Sequence, residues 1–130
     1  MIVRRRAERR INNTADLSGL VLEAIPRRYQ GQRIHPATRV FQALRIAVNN
    51  ELSDLRLAMG TSVRRLTSGG RLCIISYHSL EDRIVKHGFR GWEKESQLKV
   101  ITRRPVVASA TERSFNPRCR SAKLRVAEWC

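Results

Sequence analysis

The sequence predicts an α/β protein that contributes part of a sheet wound with crossover helices. Three observations predict this class: an apolar stripe with helical spacing over residues 36–66, a continuous apolar run from Leu72 to Ile75, and an amphipathic helix from Ser79 to about Arg90. Helix–strand–helix order is typical of such sheets. One strong strand and two marginal ones cannot make a sheet of the usual size. We therefore expect the remaining strands to lie outside these 130 residues.

The first element is a short amphipathic helix over residues 14–25. Its apolar side chains recur at helical spacing, Thr14 is expected to cap its N-terminus, and Pro26 is expected to end it. The polar stretch 27–34, which contains Gly31, predicts a linker or loop.

The longest periodic segment begins at Pro36, a residue that suits the first position of a helix. We expect one helix from there to Leu66, with a kink or pause at Gly60 and a stop at Gly69–Gly70. Its single stripe is interpreted as core rather than as a cofactor-binding surface. The stripe consists of Phe41, Leu44, Val48, Leu52, Leu55, Met59, Val63 and Leu66.

The apolar run from Leu72 to Ile75 predicts a central parallel strand, because it shows no alternation of polar residues and both its faces should be buried. Cys73 within it is interpreted as a small buried hydrophobe. Two weaker strands are expected at residues 99–102 and 122–128, with an irregular stretch between them.

The charge balance favours a polyanionic partner. Lysine and arginine number 26 against 11 acidic residues, so the formal net charge is +15, and only four of the basic residues are lysines. Guanidinium groups bind phosphate at two points, and for a chain inside the cell the abundant polyanion is nucleic acid. Arginine usage raised by a GC-rich genome is the alternative explanation. An aromatic content of 5% argues against an extended stacking platform for single strands.

Several classes are excluded. No apolar run reaches the roughly 18–20 residues of a membrane span, and the basic start is not followed by a secretory apolar stretch, so we expect a cytoplasmic protein. Three cysteines without a Cys-x-x-Cys pair indicate neither a zinc site nor a disulfide framework, and no metal is expected. No G-x-G-x-x-G or P-loop occurs, so no cofactor-binding residue is assigned to this chain.

Three segments carry a family resemblance. They are IHPATRVFQALRIAVNNEL at 34–52, GGRLCIISYHSLEDRIVK at 69–86 and NPRCRSAKLRVAE at 116–128. In this order they resemble the ribosomal RNA small subunit methyltransferase H family (RsmH, also called MraW). Cys119 departs from the small polar or apolar residue that is usual at its position in the family.

The resemblance implies a methyltransferase that moves a methyl group from S-adenosylmethionine to N4 of a cytidine in 16S-type small-subunit rRNA. It implies a class I, Rossmann-like sheet interrupted by a helical, RNA-facing insert. Residues 1–33 would be a remnant of that insert and residues 34–130 the C-terminal part of the methyltransferase domain. The family's cofactor motifs precede this region. We therefore expect a C-terminal fragment that is inactive alone, needs a missing N-terminal half to bind S-adenosylmethionine, and has small-subunit rRNA or the 30S-type subunit as partner.

The candidate site follows the predicted strand, because ligands of α/β sheets bind at the carboxyl ends of strands. His78 and Ser79 are candidates for contact with the target base. The alternative is that Ser79 and Asp82 cap a helix while His78 makes a local hydrogen bond. Close neighbours of these types do not establish a Ser-His-Asp triad.

A second set of candidates for RNA contact lies outside the apolar stripe of the long helix or just before the last strand. For the helix residues the alternative is a solvated face, and for the residues before the strand it is an internal salt bridge. The set is His35, Arg39, Arg45, Arg118, Arg120 and Ser121. A non-catalytic basic RNA-binding module is the alternative function for the whole chain.

Overall fold

The structure is a computed structural model that describes residues 1–31 and 34–130. These residues pack as two compact units, Met1–Asn50 and Glu51–Cys130, and each unit is described by itself. The predicted linker 27–34 and the predicted domain boundary after residue 33 include Gln32 and Arg33, which lie outside the described residues. The division into an insert remnant and a methyltransferase part therefore stays a prediction.

The first unit is helical. Helix α1 spans Ile2–Glu8, α2 spans Thr14–Ala24 and α3 spans Ala37–Val48, with a short 3-10 helix at Arg27–Tyr29. The prediction of α2 is confirmed, although its N-cap is Asn13 and not Thr14. The Asn13 side chain accepts a hydrogen bond from the backbone N–H of Asp16 at 2.8 Å, which satisfies one of the donors that a helix start leaves free.

The prediction of one helix from Pro36 to Leu66 is wrong. The chain forms two helices, α3 and α4, the second spanning Glu51–Val63. The break lies at Asn49–Asn50, where Asn50 has a positive φ of 52°, a conformation that asparagine tolerates better than most residues. The apolar stripe continues across this break without forming one core: Met59 and Val63 are buried, whereas Val48 is 79% exposed.

The second unit contains a small sheet. Its strands are β1 (Arg71–Ser76), β2 (Leu98–Val100), β3 (Val106–Val107) and β4 (Lys123–Trp129). The order is β1-β4-β2, and β3 also pairs with β4; every pairing is antiparallel. Since β1 occupies one edge of β4 along its length, β2 and β3 share the other edge.

Within the described residues β1 is an edge strand whose one neighbour, β4, runs antiparallel, so the central parallel position predicted for β1 is not found in this unit. Leu72 and Ile74 pack against the core, whereas Cys73 and Ile75 are exposed on the opposite face. Cys73 is therefore not the buried hydrophobe that the sequence suggested. An apolar run reports the character of the side chains but not the number of strands beside it.

Helix α5 spans Ser79–Lys94, somewhat longer than predicted, and packs on the sheet with α4 beside it. Because β1 and β2 both run antiparallel to β4, they are parallel to each other and α5 is the crossover between them. This part of the expected crossover arrangement is confirmed. The core between helices and sheet consists of Met59, Val63, Val85, Phe89, Leu98 and Ala127.

The stretch before β4 is more regular than expected. A short helix, α6, spans Ala110–Phe115, and a 3-10 helix spans Pro117–Ser121. Ser109 caps α6 by accepting a hydrogen bond from the backbone N–H of Glu112 at 3.0 Å. The Ser-x-x-Glu spacing at 109–112 is the sequence signal for this helix. Among the described residues, no helix is long and apolar enough to cross a membrane.

Candidate functional site

The candidate site lies at the carboxyl end of β1, where the chain turns into α5. His78 is the N-cap of α5, and its Nδ1 accepts a hydrogen bond from the backbone N–H of Glu81 at 3.3 Å. In return, Oε2 of Glu81 accepts from the backbone N–H groups of Tyr77 and His78 at 2.9 and 3.2 Å. This reciprocal capping box fixes the imidazole ring. The cap is therefore His78 and not Ser79, which is exposed on the first turn.

Two buried polar atoms at this end of the strand lack a hydrogen-bond partner among the described residues. They are Oγ of Ser76, a residue only 2% exposed, and Nε2 of His78. Nε2 lies 3.4 Å from Oε1 of Glu81, which would form an ion pair only with a protonated imidazole. Buried polar groups are usually satisfied, so two unsatisfied ones at one strand end mark a place for a ligand or water. Ser76 is not among the sequence candidates, because a polar residue after an apolar run ordinarily marks no more than the end of a strand.

The same region contains the group of side chains that could hold a cation. Ligand atoms of Glu51, His78 and Glu81 lie within 4.8 Å of one another. No metal is expected from the sequence.

Asp82 does not cap α5 but ties the helix to the middle strand of the sheet. Its carboxylate accepts a hydrogen bond from Nε of Arg125 at 2.7 Å and lies 3.5 Å from Nζ of Lys123. The hydrogen bond from Arg125 holds the pKa of Asp82 below its usual value, against the opposing effect of burial. The buried guanidinium of Arg125 therefore has a charged partner, as buried charges require.

The candidates for RNA contact near the C-terminus are exposed. Arg118, Arg120 and Ser121 lie in the 3-10 helix that precedes β4. Within residues 1–31 and 34–130 neither arginine forms an ion pair with a carboxylate, so the structure gives no support to the internal salt bridge considered as the alternative. Their contact with RNA stays a prediction.

The candidates in the first unit are also on the surface. His35, Arg39 and Arg45 are exposed, and Nδ1 of His35 accepts a hydrogen bond from the backbone N–H of Ala37 at 3.2 Å before α3 begins. Arg45 has an interaction partner of its own.

The three cysteines are free thiols. Cys73 and Cys130 are exposed and Cys119 is buried.

The fold defines a strongly basic α/β protein. At the carboxyl end of its edge strand β1, two buried polar atoms lack a hydrogen-bond partner among the described residues. Comparison with known proteins specifies the family. The MraW methylase family model matches residues 1–130, and the chain belongs to this family.

Curated relatives agree with this assignment and are longer than this chain. The chain is 49% identical to the ribosomal RNA small subunit methyltransferase H of Trichlorobacter lovleyi, 50% to that of Trichormus variabilis and 54% to that of a Cyanothece species. Each alignment covers 98% of this chain but only 45%, 41% and 42% of the respective relative. The chain thus spans less than half the length of these relatives.

Proposed function

We propose that this chain is the C-terminal portion of an S-adenosylmethionine-dependent rRNA methyltransferase that modifies N4 of a cytidine in 16S-type rRNA, in the cytoplasm. The observation that carries the proposal is the family match over all 130 residues, at about half identity to proteins named small-subunit rRNA methyltransferases. The charge of +15 supports an RNA substrate.

The described residues do not fit a complete site for S-adenosylmethionine. The strand β1 leads into Ser76, Tyr77 and His78 with no glycine-rich turn to approach the cofactor closely. Both acidic residues in the first turn of α5 are already engaged, Glu81 in the capping box and Asp82 with Arg125. We therefore assign the S-adenosylmethionine-binding site to the part of the relatives that this chain does not span.

The chain supplies one wall of the pocket for the target base. Methylation of an amino group requires the base to be taken out of its stack and held in a fixed orientation. In this proposal His78 and Ser79 form this wall at the carboxyl end of β1, and the shielded atoms Oγ of Ser76 and Nε2 of His78 reach the base through a bridging water. Ser79 lies beside them on the exposed first turn of α5.

The basic surface of the chain holds the RNA backbone. The exposed guanidinium groups of Arg118 and Arg120 have no carboxylate partner among the described residues, which leaves them available for phosphate. We assign the same role to the exposed side chains in and before α3, His35, Arg39 and Arg45.

The unpaired edge and the exposed face of β1 support the proposal that a further segment of the enzyme packs against this strand. Within the second unit its outer edge is unpaired in the described residues, and the face that carries Cys73 and Ile75 is exposed. Sheets wound with crossover helices are covered on both faces. An N-terminal portion of the enzyme would pair with this edge and cover this face.

A complementation assay tests the proposal. The chain is mixed with the separately purified N-terminal portion of the Trichlorobacter lovleyi relative, and transfer of labelled methyl groups from S-adenosylmethionine to 30S-type subunits is measured. We expect transfer with the mixture but with neither part alone, and mass spectrometry should identify N4-methylcytidine. Tight binding of S-adenosylmethionine to the chain alone, measured by calorimetry, would contradict the division of roles. A product methylated at another atom would contradict the specificity.

The contribution of the basic surface is tested by affinity for small-subunit rRNA as a function of salt. R118Q/R120Q should weaken binding by about tenfold at low salt and reduce the salt dependence, because phosphate contacts release counterions. R64Q/R65Q removes the same charge from another exposed pair and should have a smaller effect. A flat salt dependence would refute the electrostatic role. RNA binding without any complemented methyl transfer would favour the non-catalytic module.

A further inference from the structure

A groove between α4 and α5 has the composition of a nucleotide-binding site. It has a volume of about 320 Å³. Its floor is apolar and its rim is basic, and no carboxylate of the described residues lines it. The lining residues are Arg56 and Met59 of α4, and Arg83, Ile84, His87, Gly88 and Trp92 of α5.

The helical repeat of α5 explains this arrangement. Ile84, Gly88 and Trp92 follow each other at intervals of four residues and so form one row, which is the floor of the groove. Arg83 and His87, also four residues apart, form the neighbouring row and are exposed. A rise of about 1.5 Å per residue places them about 8 and 14 Å along α5 from the His78 cap.

Gly88 keeps the floor open. A Cβ atom at this position would lie 2.8 Å from Cε of Met59 and 3.6 Å from the indole ring of Trp92. Cε is the flexible end of the Met59 side chain, so this clash would be relieved by a shift of Met59, a residue that borders the groove. The glycine thus allows α4 to approach α5 closely and leaves the half-buried indole of Trp92 bordering the cavity.

The rim charges are available to an anion. Arg56 donates one hydrogen bond to the backbone carbonyl of Leu52, in its own helix, at 3.3 Å. In the described ranges 1–31 and 34–130, none of Arg56, Arg83 and His87 forms an ion pair with a carboxylate. Arginine and histidine next to an indole ring suit a nucleotide, since the base stacks on the ring while the phosphate binds the guanidinium groups.

We propose that this groove binds one nucleotide of a single-stranded RNA segment, with its base on the floor formed by Met59, Gly88 and Trp92 and its phosphate between Arg56 and Arg83. The inference rests on the proposed function, because it takes the RNA substrate as the ligand and adds a site separate from the pocket for the target base. A single stacked base is compatible with the low aromatic content of the chain.

Photocrosslinking and affinity together test this site. The probe is a mixed-sequence 20-nucleotide RNA that contains 5-iodouridine, added to the full chain. We expect an RNA adduct on Trp92, within the tryptic peptide 91–94. R56Q/R83Q should lower the affinity at least fivefold more than R103Q/R104Q, which removes two exposed arginines elsewhere. The logarithmic salt slope should fall by about 0.7 for each phosphate that the variant no longer neutralises.

Two further measurements keep the test specific. G88A changes no charge, fills the floor and should weaken RNA binding, while circular dichroism verifies that the helices remain. Crosslinks confined to other peptides, together with equal effects of R56Q/R83Q and R103Q/R104Q, would overturn the nucleotide site. That result would leave the complementation assay for the proposed function unaffected. Displacement of the RNA by an acidic peptide that itself crosslinks to Trp92 would also overturn it, in favour of a protein ligand.

Discussion

At the scale of single residues, Asp82 connects the helix that presents the candidate site to the strand at the middle of the sheet. The side chain of its partner Arg125 is only 7% exposed, so the guanidinium depends on this carboxylate for a counter-charge. A buried ion pair contributes little net stability compared with apolar packing, but removal of one partner leaves an uncompensated charge. Asp82 therefore matters for stability mainly because its removal would leave the buried guanidinium of Arg125 without a counter-charge.

We predict that Asp82→Asn lowers the free energy of unfolding by about 3 kcal/mol at pH 7. The pKa of Asp82 is lowered in the folded state, so its contribution is present above the unfolded pKa of about 3.9 and is lost as the pH falls through the lower folded pKa. The difference between wild type and variant should accordingly shrink as the pH falls below the unfolded pKa. Urea unfolding at several pH values measures it.

Glu128→Gln is the matched control for that experiment. Glu128 pairs with Arg71 at 2.7 Å, but the Arg71 side chain is 63% exposed, and exposed pairs contribute at most about 1 kcal/mol. If both variants lose the same stability, burial of Arg125 is not what makes the Asp82 pair important.

A second residue-scale prediction concerns the His78 cap. His78→Ala removes the acceptor for the N–H of Glu81 and should cost about 1 kcal/mol of stability, as loss of an N-cap usually does. His78→Asn keeps a good capping side chain and should retain the stability. In the complemented methyltransferase assay, however, both variants should lose activity, because both lack Nε2. An active His78→Asn enzyme would restrict His78 to a structural role.

At the scale of elements, the sequence predicted the helices, which depend on neighbouring residues, better than the strand pairing, which depends on distant ones. The spacing of apolar residues predicted α2 and α5 correctly, because the helical period can be recognised from neighbouring residues. The pairing of β4 between β1 and β2 could not be predicted this way, since it joins residues about 50 positions apart, such as Cys73 and Val126. His78 is a candidate in the sequence because it follows a predicted strand, and its role stays a prediction. The orphaned Ser76 and the groove at Gly88 emerge only from packing.

The boundary between α3 and α4 could not be predicted from the apolar spacing, because this spacing continues across it. We predict that Asn50→Val destabilises the chain by about 1–2 kcal/mol, because a β-branched residue is unfavourable at the positive φ found here. Asn50→Gly, which accepts this conformation, should change stability much less. Thermal unfolding of both variants measures the difference. A valine variant as stable as the wild type would show that the positive φ at position 50 does not contribute to stability in this way.

At the scale of the whole molecule, the second unit is a sheet with its helices α4 and α5 associated with one face. The opposite face exposes Cys73 and more than half of Ile75, next to the edge of β1 that is unpaired in the described residues. An apolar edge strand of this kind is prone to pair with another chain. The uncovered face of β1 thus supports the proposal that the portion of the curated relatives not spanned by this chain packs against it.

We therefore predict that the chain alone self-associates at micromolar concentrations through β1, and that Ile75→Lys reduces this association by placing a charge on the edge strand. Leu57→Lys is the control, since Leu57 is 69% exposed but lies on α4, away from the sheet edge. Sedimentation velocity should show a shift toward monomer for Ile75→Lys alone. Addition of the N-terminal portion of the Trichlorobacter lovleyi relative should dissociate the wild-type oligomers and protect Cys73 from alkylation while Cys130 stays reactive. Equal effects of the two lysine variants, or unchanged reactivity of Cys73, would show that β1 is not the surface on which the rest of the enzyme assembles.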